Sequence, residues 1–398
     1  MTPFLQFIFL LAVLIFAAKT GGYLSQRLGQ PSVLGELLAG LLLGPTFLNL
    51  YGLPFLTDSH LPDSITHLAE VGVLLLLFIA GMELHLSDLV KAGKIASYVG
   101  VSGVLMPVLL GFFAARIVGT DTQTALFLGL MLAATSVSIS AQTLMEMNKL
   151  QTRVGIIMLG GAVIDDILVL LGLSIFSALV LEGGAGLDQV VWILVRMLLY
   201  ILVGGGLGLV LLPKLLQRVS RLPISEGLVA AGLIIAFLYA WAAEVLGGMA
   251  AITGSFLAGI LISRSALRER IQRGISTAAY GFFVPIFFGN VGLQAEFSTF
   301  GSNQLLLLAG LSVIAVVSKL LGGGLGALAG GLSLREAVQV GVGMMARGEV
   351  ILIAATIGIN AGLIGNELFS SVVGVVLITT LLTPPILRLL YRENPAAV

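Results

Sequence analysis

The sequence contains no cysteine and very little charge. The absence of cysteine excludes disulfides, thiol catalysis and cysteine-ligated metals. Charged residues are 10% of the 398 residues, against roughly 25% in a typical globular protein. So few charged side chains could not cover the surface of a soluble protein of this length. Twenty basic and twenty acidic residues cancel, and no basic field indicates nucleic-acid binding. The three histidines, His60, His67 and His85, lack metal-ligand spacing, and we expect no bound cofactor.

Apolar residues and glycine are abundant instead. Hydrophobic residues are 58% of the chain, glycine supplies 51 positions, and the mean hydropathy is +1.10. Because a helix needs about 20 mostly apolar residues to cross a bilayer, these values predict an all-α polytopic membrane protein. We expect no folded extramembrane domain. Thirteen stretches are predicted to span the membrane: 3–26, 31–49, 65–84, 95–116, 122–147, 154–181, 188–213, 225–246, 248–263, 274–296, 303–331, 333–360 and 367–390.

The connections between these stretches carry charge unevenly. Sixteen of the 20 basic residues fall in alternate connections or at the C-terminal end. The positive-inside rule then predicts an N-terminus outside and a C-terminus in the cytoplasm. We expect the cell inner (plasma) membrane, with another energised membrane such as the thylakoid as the alternative.

Two pairs of segments suggest an internal repeat. PSVLGELLAGLLLG around Gly35 and AAITGSFLAGILIS around Gly254 share the pattern G-x-x-L-A-G-x-L. Two helices later, ALFLGLMLAATSVSIS begins at Ala125 and AVQVGVGMMARGEVIL begins at Ala337. An odd number of spans separates the members of each pair, so the copies face opposite ways, as in many secondary transporters. The predicted parts of this single membrane unit are repeats over about 3–181 and 225–390 and a linker helix over 188–213.

Charged residues also occur where lipid is expected. Asp165 and Asp166 lie near the middle of the sixth span, in LGGAVIDDILVLLGL. Each charge at a helix centre costs roughly 2.5–3.5 kcal/mol on insertion scales. Adjacent helical residues point about 100° apart, so one acid can face an ion path while the other meets a partner helix. Lys319 in the eleventh span lies about ten residues, roughly 15 Å, from the nearest polar edge. It needs a buried anion, which the sixth span offers.

The fifth and twelfth spans contain polar interruptions. Arg347 and Glu349, with glycines beside them in the twelfth span, indicate a broken helix with exposed backbone. These two residues either brace two helices or contact the ion directly. The repeat-related interruption in the fifth span supplies the hydroxyls of Thr135, Ser136, Ser138 and Ser140. Two opposed broken helices beside a di-acid helix predict a cation site, since carbonyls and helix C-ends favour the cation and the acids supply charge.

Two further acids lie near the starts of spans. Glu36 is interpreted as lining a cavity mouth or capping its helix, and both interpretations stay open. Glu70 is interpreted as interfacial.

These segments resemble bacterial sodium/proton antiporters of the cation:proton antiporter-2 family, most closely the NapA type. The similarity covers essentially the whole chain. Its most specific parts are AVIDD (162–166), ATSVSISA (134–141), PIFFGNVG (285–292), SKLLGG (318–323) and ARGEV (346–350).

The resemblance implies thirteen helices, a homodimer, and a dimerisation unit flanking a moving six-helix core. The fifth and twelfth spans would be crossed, interrupted helices. Asp166 would be the principal ion and proton carrier, and Asp165 would pair with Lys319. Thr135 would lie at the first interruption and Glu349 would follow the second.

Two details of the resemblance bear on mechanism. Adjacent acids imply electrogenic exchange, since electroneutral relatives usually carry Asn before the Asp. Potassium-efflux relatives usually carry Gln there and a long C-terminal regulatory domain. Family members are expected to have Pro before the arginine of the second interruption, whereas Met345 and Ala346 precede Arg347 here.

The sequence therefore predicts a monovalent cation/proton antiporter, not an enzyme, exchanging Na⁺ or Li⁺ for H⁺ by alternating access. Its expected partners are the cation, protons, the bilayer and a second copy of the chain. The alternatives are K⁺/H⁺ exchange or a sodium-coupled solute symporter on the same scaffold. A channel lacks a visible carbonyl-filter motif, and an intramembrane aspartyl protease needs its two acids on separate helices. The predicted site comprises Asp166 and Asp165 as Na⁺ ligands, with Thr135, Ser136, Lys319 as charge partner, and Arg347 and Glu349 as support.

Overall fold

The computed structural model describes residues 1–84, 86–176, 187–294 and 300–391. His85 and the side chain of Glu349 lie outside what it describes. Within these ranges the regular secondary structure is helical, with no strand. The α-helices are α1 (Pro3–Arg27), α2 (Ser32–Leu43), α3 (Leu61–Glu83), α4 (Leu86–Ile117), α5 (Thr122–Ala133), α6 (Val137–Glu146), α7 (Arg153–Phe176), α8 (Leu187–Val219), α9 (Gly227–Val245), α10 (Ala251–Ile262), α11 (Arg268–Ala278), α12 (Val284–Leu293), α13 (Ser302–Ala329), α14 (Leu334–Gly343), α15 (Glu349–Asn360) and α16 (Asn366–Tyr391).

The helices correspond to the thirteen predicted spans. Among the described residues, ten helical segments are long and apolar enough to cross a membrane, with α5 and α6 counted as one and α11 and α12 as another. Two shorter apolar helices, α2 and α10, stand at the second and ninth predicted spans. The interrupted pair α14 and α15 stands at the twelfth. The all-α polytopic fold class predicted from the sequence is therefore confirmed.

The second span is shorter than predicted. The sequence predicts 31–49, but α2 ends at Leu43 and Gly44 adopts an extended conformation with φ −69° and ψ 175°. The cause is Pro45, because a residue before proline is driven out of the helical region. The chain after this point is irregular except for one 3₁₀ turn at Leu50–Gly52.

The N-terminal halves of both interrupted spans begin with side-chain caps. The Asp121 carboxylate accepts hydrogen bonds from the backbone N–H groups of Gln123 and Thr124 at 2.9 and 3.0 Å. Ser333 and Glu336 form a reciprocal capping box at the start of α14. These caps satisfy N–H groups that helix formation leaves unpaired.

The chain divides into two compact units. The first contains 1–16, 54–91 and 177–290, and the second contains 17–53, 92–176 and 291–398. The candidate site described below lies wholly in the second unit. The repeat boundaries, the linker role of 188–213 and the core and dimerisation subdomains stay predictions.

The shared G-x-x-L-A-G-x-L pattern has the same packing role in each unit. In the second unit, a Cβ on Gly35 of α2 would overlap the carbonyl oxygen of Gly21 in α1. In the first unit, a Cβ on Gly254 of α10 would overlap the carbonyl oxygen of Tyr239 in α9. In both places a glycine lets a short helix lie directly against the backbone of the helix before it.

Candidate ion-binding site

The two interruptions lie against each other. Residues between α5 and α6 are extended, with Ala134 at ψ 137° and Ser136 at φ −98° and ψ 108°. The backbone N–H of Ser136 donates to the carbonyl oxygen of Ala346, in the interruption between α14 and α15, at 2.8 Å. The Ser140 hydroxyl donates to the carbonyl oxygen of Gly343. The second interruption therefore forms without the proline expected before the arginine.

Close approach explains the glycine in the second interruption. A Cβ on Gly348 would lie 2.7 Å from Ser136 Oγ and 2.8 Å from Ser136 Cβ. Real side chains do not approach so closely, so the two segments can touch only because residue 348 has no side chain.

The four half-helix ends give this contact a mixed electrostatic character. Helices α5 and α14 end at it, and α6 and α15 begin there. Helix C-ends carry partial negative charge and N-ends carry partial positive charge, each about half an elementary charge. The contact can therefore present carbonyl oxygens to a cation and N–H groups to an acid.

A buried ion pair lies beside these ends. Lys319 Nζ of α13 donates to Asp165 of α7, at 2.7 Å from Oδ1 and 2.9 Å from Oδ2. Both side chains are 0% exposed. The Thr135 hydroxyl, in the first interruption, donates to Asp165 Oδ2. The structure thus brings together three residues that the sequence predicts for the site, and α13 and the first interruption both meet one carboxylate of α7.

The second acid of the pair is also buried. Asp166 follows Asp165 on α7 and is 2% exposed. Because adjacent residues point about 100° apart on a helix, the two carboxylates leave α7 in different directions. Asp165 therefore meets the lysine, and Asp166 leaves the helix on a different side.

A small residue faces the ion pair from α4. A Cβ on Gly103 would lie 3.5 Å from Asp165 Oδ1 and 3.8 Å from Lys319 Nζ. The nearest atom to such a Cβ would be Met344 Cε at 3.2 Å, so glycine lets α4 pack closely against the pair.

Arg347 is fully buried, and its contacts are structural. Its Nη2 donates to the carbonyl oxygen of Ala315 in α13 at 2.9 Å. Its backbone N–H donates to Thr379 Oγ1 at 3.2 Å, and the Thr380 hydroxyl donates to its carbonyl oxygen at 2.9 Å. Of the two interpretations left open for this residue, these contacts favour bracing of the second interruption against α13 and α16.

The remaining predicted residues lie in varied places. Ser136 and Ser138 are buried, with their hydroxyl oxygens 3.1 Å apart. Glu70 is largely exposed and pairs with His67 at 3.3 Å. Glu36 is buried and lies 3.5 Å from Lys19. Both interpretations of Glu36, lining a cavity mouth or capping its helix, stay predictions.

Sequence reasoning missed Glu146 as a partner of α2. Its carboxylate accepts hydrogen bonds from the Ser32 N–H at 2.6 Å and from the Ser32 hydroxyl. It also missed the pairing of Lys19 with Glu36. Helix α1 continues to Arg27, about two turns further. The sequence signal for this pairing was the position of Lys19, which lies about two turns before the end of α1 at Arg27. A lysine at that depth in a span indicates an acidic partner on a neighbouring helix.

A buried acid–lysine pair beside two interrupted helices defines a secondary transporter with a charged site inside the membrane. Comparison with known proteins gives the particular family. Residues 11–392 match the family described as "Sodium/hydrogen exchanger, transmembrane", and the chain belongs to that family.

Three curated relatives cover nearly the whole chain. The chain is 38% identical to the Na⁺/H⁺-K⁺ antiporter GerN of Bacillus cereus, covering 99% of this chain and 98% of that one. It is 36% identical to a Na⁺/H⁺ antiporter of Enterococcus hirae, covering 96% and 98%. It is 31% identical to the high-affinity Na⁺/H⁺ antiporter NhaS3 of Synechocystis, covering 96% and 89%.

A solved structure shows the same fold. The sodium proton antiporter MjNhaP1 of Methanocaldococcus jannaschii aligns with a TM-score of 0.72 at 16% identity, over 98% of this chain and 100% of that chain. At this identity, the likeness concerns the fold alone. The sodium/proton antiporter fold predicted from the sequence is confirmed.

Proposed function

We propose that the protein exchanges Na⁺ or Li⁺ for H⁺ across a membrane by alternating access, with Asp166 as the carrier of either ion. The observation that carries this proposal is the buried Asp165–Lys319 pair with Asp166 next to it on α7. A carboxylate inside the membrane can hold a proton or a monovalent cation, but the two compete for it. If only occupied states cross easily, that competition forces exchange. Membership of the sodium/hydrogen exchanger family and the names of three relatives support the same activity.

A second candidate cation is K⁺. The relative with 38% identity is named a Na⁺/H⁺-K⁺ antiporter. The adjacent acids and the exchange chemistry are the same for either cation, so K⁺ would compete at the site proposed for Na⁺.

The finer assignment is to the NapA type of the cation:proton antiporter-2 family. Asp165 before Asp166, instead of Asn, supports it, as does Lys319 within reach of Asp165. Arrangement as a homodimer belongs to this proposal. So does insertion in the bacterial inner membrane with the N-terminus outside and the C-terminus in the cytoplasm, which the distribution of basic residues supports.

The exchange is electrogenic in this proposal. A cation that binds Asp166 displaces its proton, and Asp165, drawn toward the cation, leaves Lys319 free to release a second proton. Two protons then cross for each monovalent cation, and one net charge moves in each cycle. A charge moving through the membrane potential contributes about 2.3 kcal/mol per 100 mV, so the potential drives exchange.

Proteoliposomes test the proposed activity. An imposed pH gradient should be dissipated by Na⁺ and by Li⁺, and K⁺ is tested in parallel with choline as the negative control. A Na⁺ jump at symmetric pH on a solid-supported membrane should produce a current. Dissipation by no monovalent cation would refute exchange. Active exchange without a current, and without response to a potassium-diffusion potential, would show a one-for-one cycle in which Asp165 and Lys319 stay paired.

A further inference from the structure

A second group of polar side chains lies in the same unit, at the end of α6 away from the interruptions. Glu36 of α2 is 5% exposed and lies 3.5 Å from the Lys19 ammonium of α1. Glu146, the last residue of α6, accepts hydrogen bonds from the first residue of α2. Ser32 and Glu36 are one helical turn apart and both face Gly22 of α1, so Glu36 lies on the same side of α2 as the residue that Glu146 contacts. Two acids therefore share one place with a single lysine.

A buried amide beside these acids has an oxygen that is not satisfied. The side chain of Gln142 is buried on α6, and its Nε2 donates to Glu146 Oε1 at 2.8 Å. Among the described residues, no donor reaches Gln142 Oε1. Leaving a buried hydrogen-bond acceptor unpaired costs free energy. A cation or a hydrogen-bond donor close to Gln142 Oε1 would remove that cost, and the described residues supply neither. Carboxylate and amide oxygens together are the ligands that hard cations prefer.

Lys19 holds its acid loosely. Its side chain is 46% exposed and its 3.5 Å contact is long, whereas charge-assisted hydrogen bonds are roughly 2.7–2.9 Å. Lys319 by contrast is fully buried at 2.7 Å from its acid. Glycine at position 22 lets α1 lie close to Glu36, because a Cβ there would be 3.3 Å from Glu36 Cγ. An ammonium held in this way can be displaced by a cation from solution.

The group is linked to the central site by one helix. Helix α6 has ten residues, about 15 Å at roughly 1.5 Å per residue, and its other end begins next to Ser136. With the proposed orientation, the Glu36 end faces the cytoplasm.

We propose that Glu36, Glu146 and Gln142 form a second, weak site for a monovalent cation at the cytoplasmic end of α6, from which an arriving cation displaces the Lys19 ammonium. The site loads cations before they reach Asp166. It rests on the proposed exchange at Asp166 and adds to it the residues that set apparent affinity from the cytoplasmic side.

Opposite effects of two variants test this loading site. Everted membrane vesicles expose the cytoplasmic face, and KM for Na⁺ is measured there by pH-gradient dequenching. Glu36→Gln removes a ligand and should raise KM, whereas Lys19→Gln removes the competitor and should lower it, each by about threefold, the scale of a partly exposed ion pair. Arg27→Gln is the matched control, because it removes the same charge from α1 at an exposed position, and it should leave KM unchanged.

The alternative is that these residues only tie α1, α2 and α6 together. Both variants would then change KM in the same direction, and this outcome would overturn the proposal. An equal fall of KM in Arg27→Gln would also overturn it, since the effect would be general surface charge.

A binding measurement separates this inference from the proposed function. Purified full-length Asp166→Asn protein should still broaden the ²³Na resonance, and adding Glu36→Gln should abolish the broadening that remains. No difference between these two proteins would refute the loading site even if wild-type vesicles exchange Na⁺ normally. Wild-type vesicles without exchange would refute the proposed function instead.

Discussion

Replacing Lys319 by alanine should destabilise the protein in a pH-dependent way. The pair with Asp165 is fully buried, and both carboxylate oxygens lie within 2.9 Å of Nζ. Removing one partner of a buried pair leaves an uncompensated charge and typically costs about 3–5 kcal/mol. The Thr135 hydroxyl still donates to Asp165 in the variant, so part of the carboxylate's hydrogen bonding is kept.

The loss of stability in Lys319→Ala is limited because the Asp165 carboxylate, left without its lysine, can bind a proton. Protonating an ordinary aspartate in water costs about 4 kcal/mol at pH 7 and about 1.5 kcal/mol at pH 5. The destabilisation by Lys319→Ala should therefore be no more than about 4 kcal/mol at pH 7 and shrink toward about 1.5 kcal/mol at pH 5. Asp165→Asn combined with Lys319→Gln should recover part of the loss, because no charge is then stranded.

The assay is the thermal unfolding temperature of detergent-solubilised protein, measured at one heating rate because such unfolding is often irreversible. Wild type, Asp165→Asn, Lys319→Gln and the double variant form a cycle at pH 7 and at pH 5, and Lys319→Ala is measured beside them. The exposed pair Arg273–Glu269, at 3.9 Å, is the matched control, with coupling of about 0–1 kcal/mol. Additive effects of the two buried substitutions, or a Lys319→Ala effect independent of pH, would refute the reasoning.

Three further predictions concern the interrupted helices. Gly348→Ala should lower both stability and exchange, because its Cβ would lie 2.7 Å from Ser136 Oγ, and overpacking typically costs about 1–3 kcal/mol; unchanged unfolding temperature and flux would contradict the close contact. Thr135→Val should cost about 1 kcal/mol, because Asp165 loses a hydroxyl donor, and equal unfolding temperatures would contradict that role. Ser333→Ala removes the cap of α14 and should cost about 1 kcal/mol, seen as a lower unfolding temperature with normal exchange at permissive temperature.

Much of the fold could be predicted because its signals are local. A window of about 20 residues is enough to recognise a span, and the α-helices follow the predicted stretches. The end of α2 at Leu43 was also readable, since Pro45 follows one residue after Gly44, but continuous hydropathy outweighed that signal in the prediction of 31–49.

The Asp165–Lys319 pair could be predicted because an unpaired charge inside the membrane is energetically costly. A lysine at mid-depth in α13 requires an anion, and the di-acid helix was the available source. A lysine and an acid at mid-depth in lipid each need an opposite charge, so their pairing could be predicted from the sequence. The contact of Lys319 with Asp165 in the structure is the one expected.

Contacts to backbone and between helix ends could not be predicted. Arg347 donates to a carbonyl of α13, and a carbonyl acceptor leaves no mark in the sequence. Glu146 meets Ser32 only because α6 ends where α2 begins in space. The second interruption forms without proline because Gly348 permits the approach of Ser136, a requirement that depends on the partner segment.

The most direct test of the account is the flux of Asp166→Asn in proteoliposomes. Asparagine keeps the size of the side chain but can exchange neither a proton nor a cation as a carboxylate does. The variant should insert and unfold at a temperature near that of wild type, yet show no Na⁺-driven proton flux and no current after a Na⁺ jump. Asp166→Glu is the control that keeps the charge and should retain some exchange. Near wild-type flux from folded Asp166→Asn would contradict the assignment of Asp166 as the ion carrier.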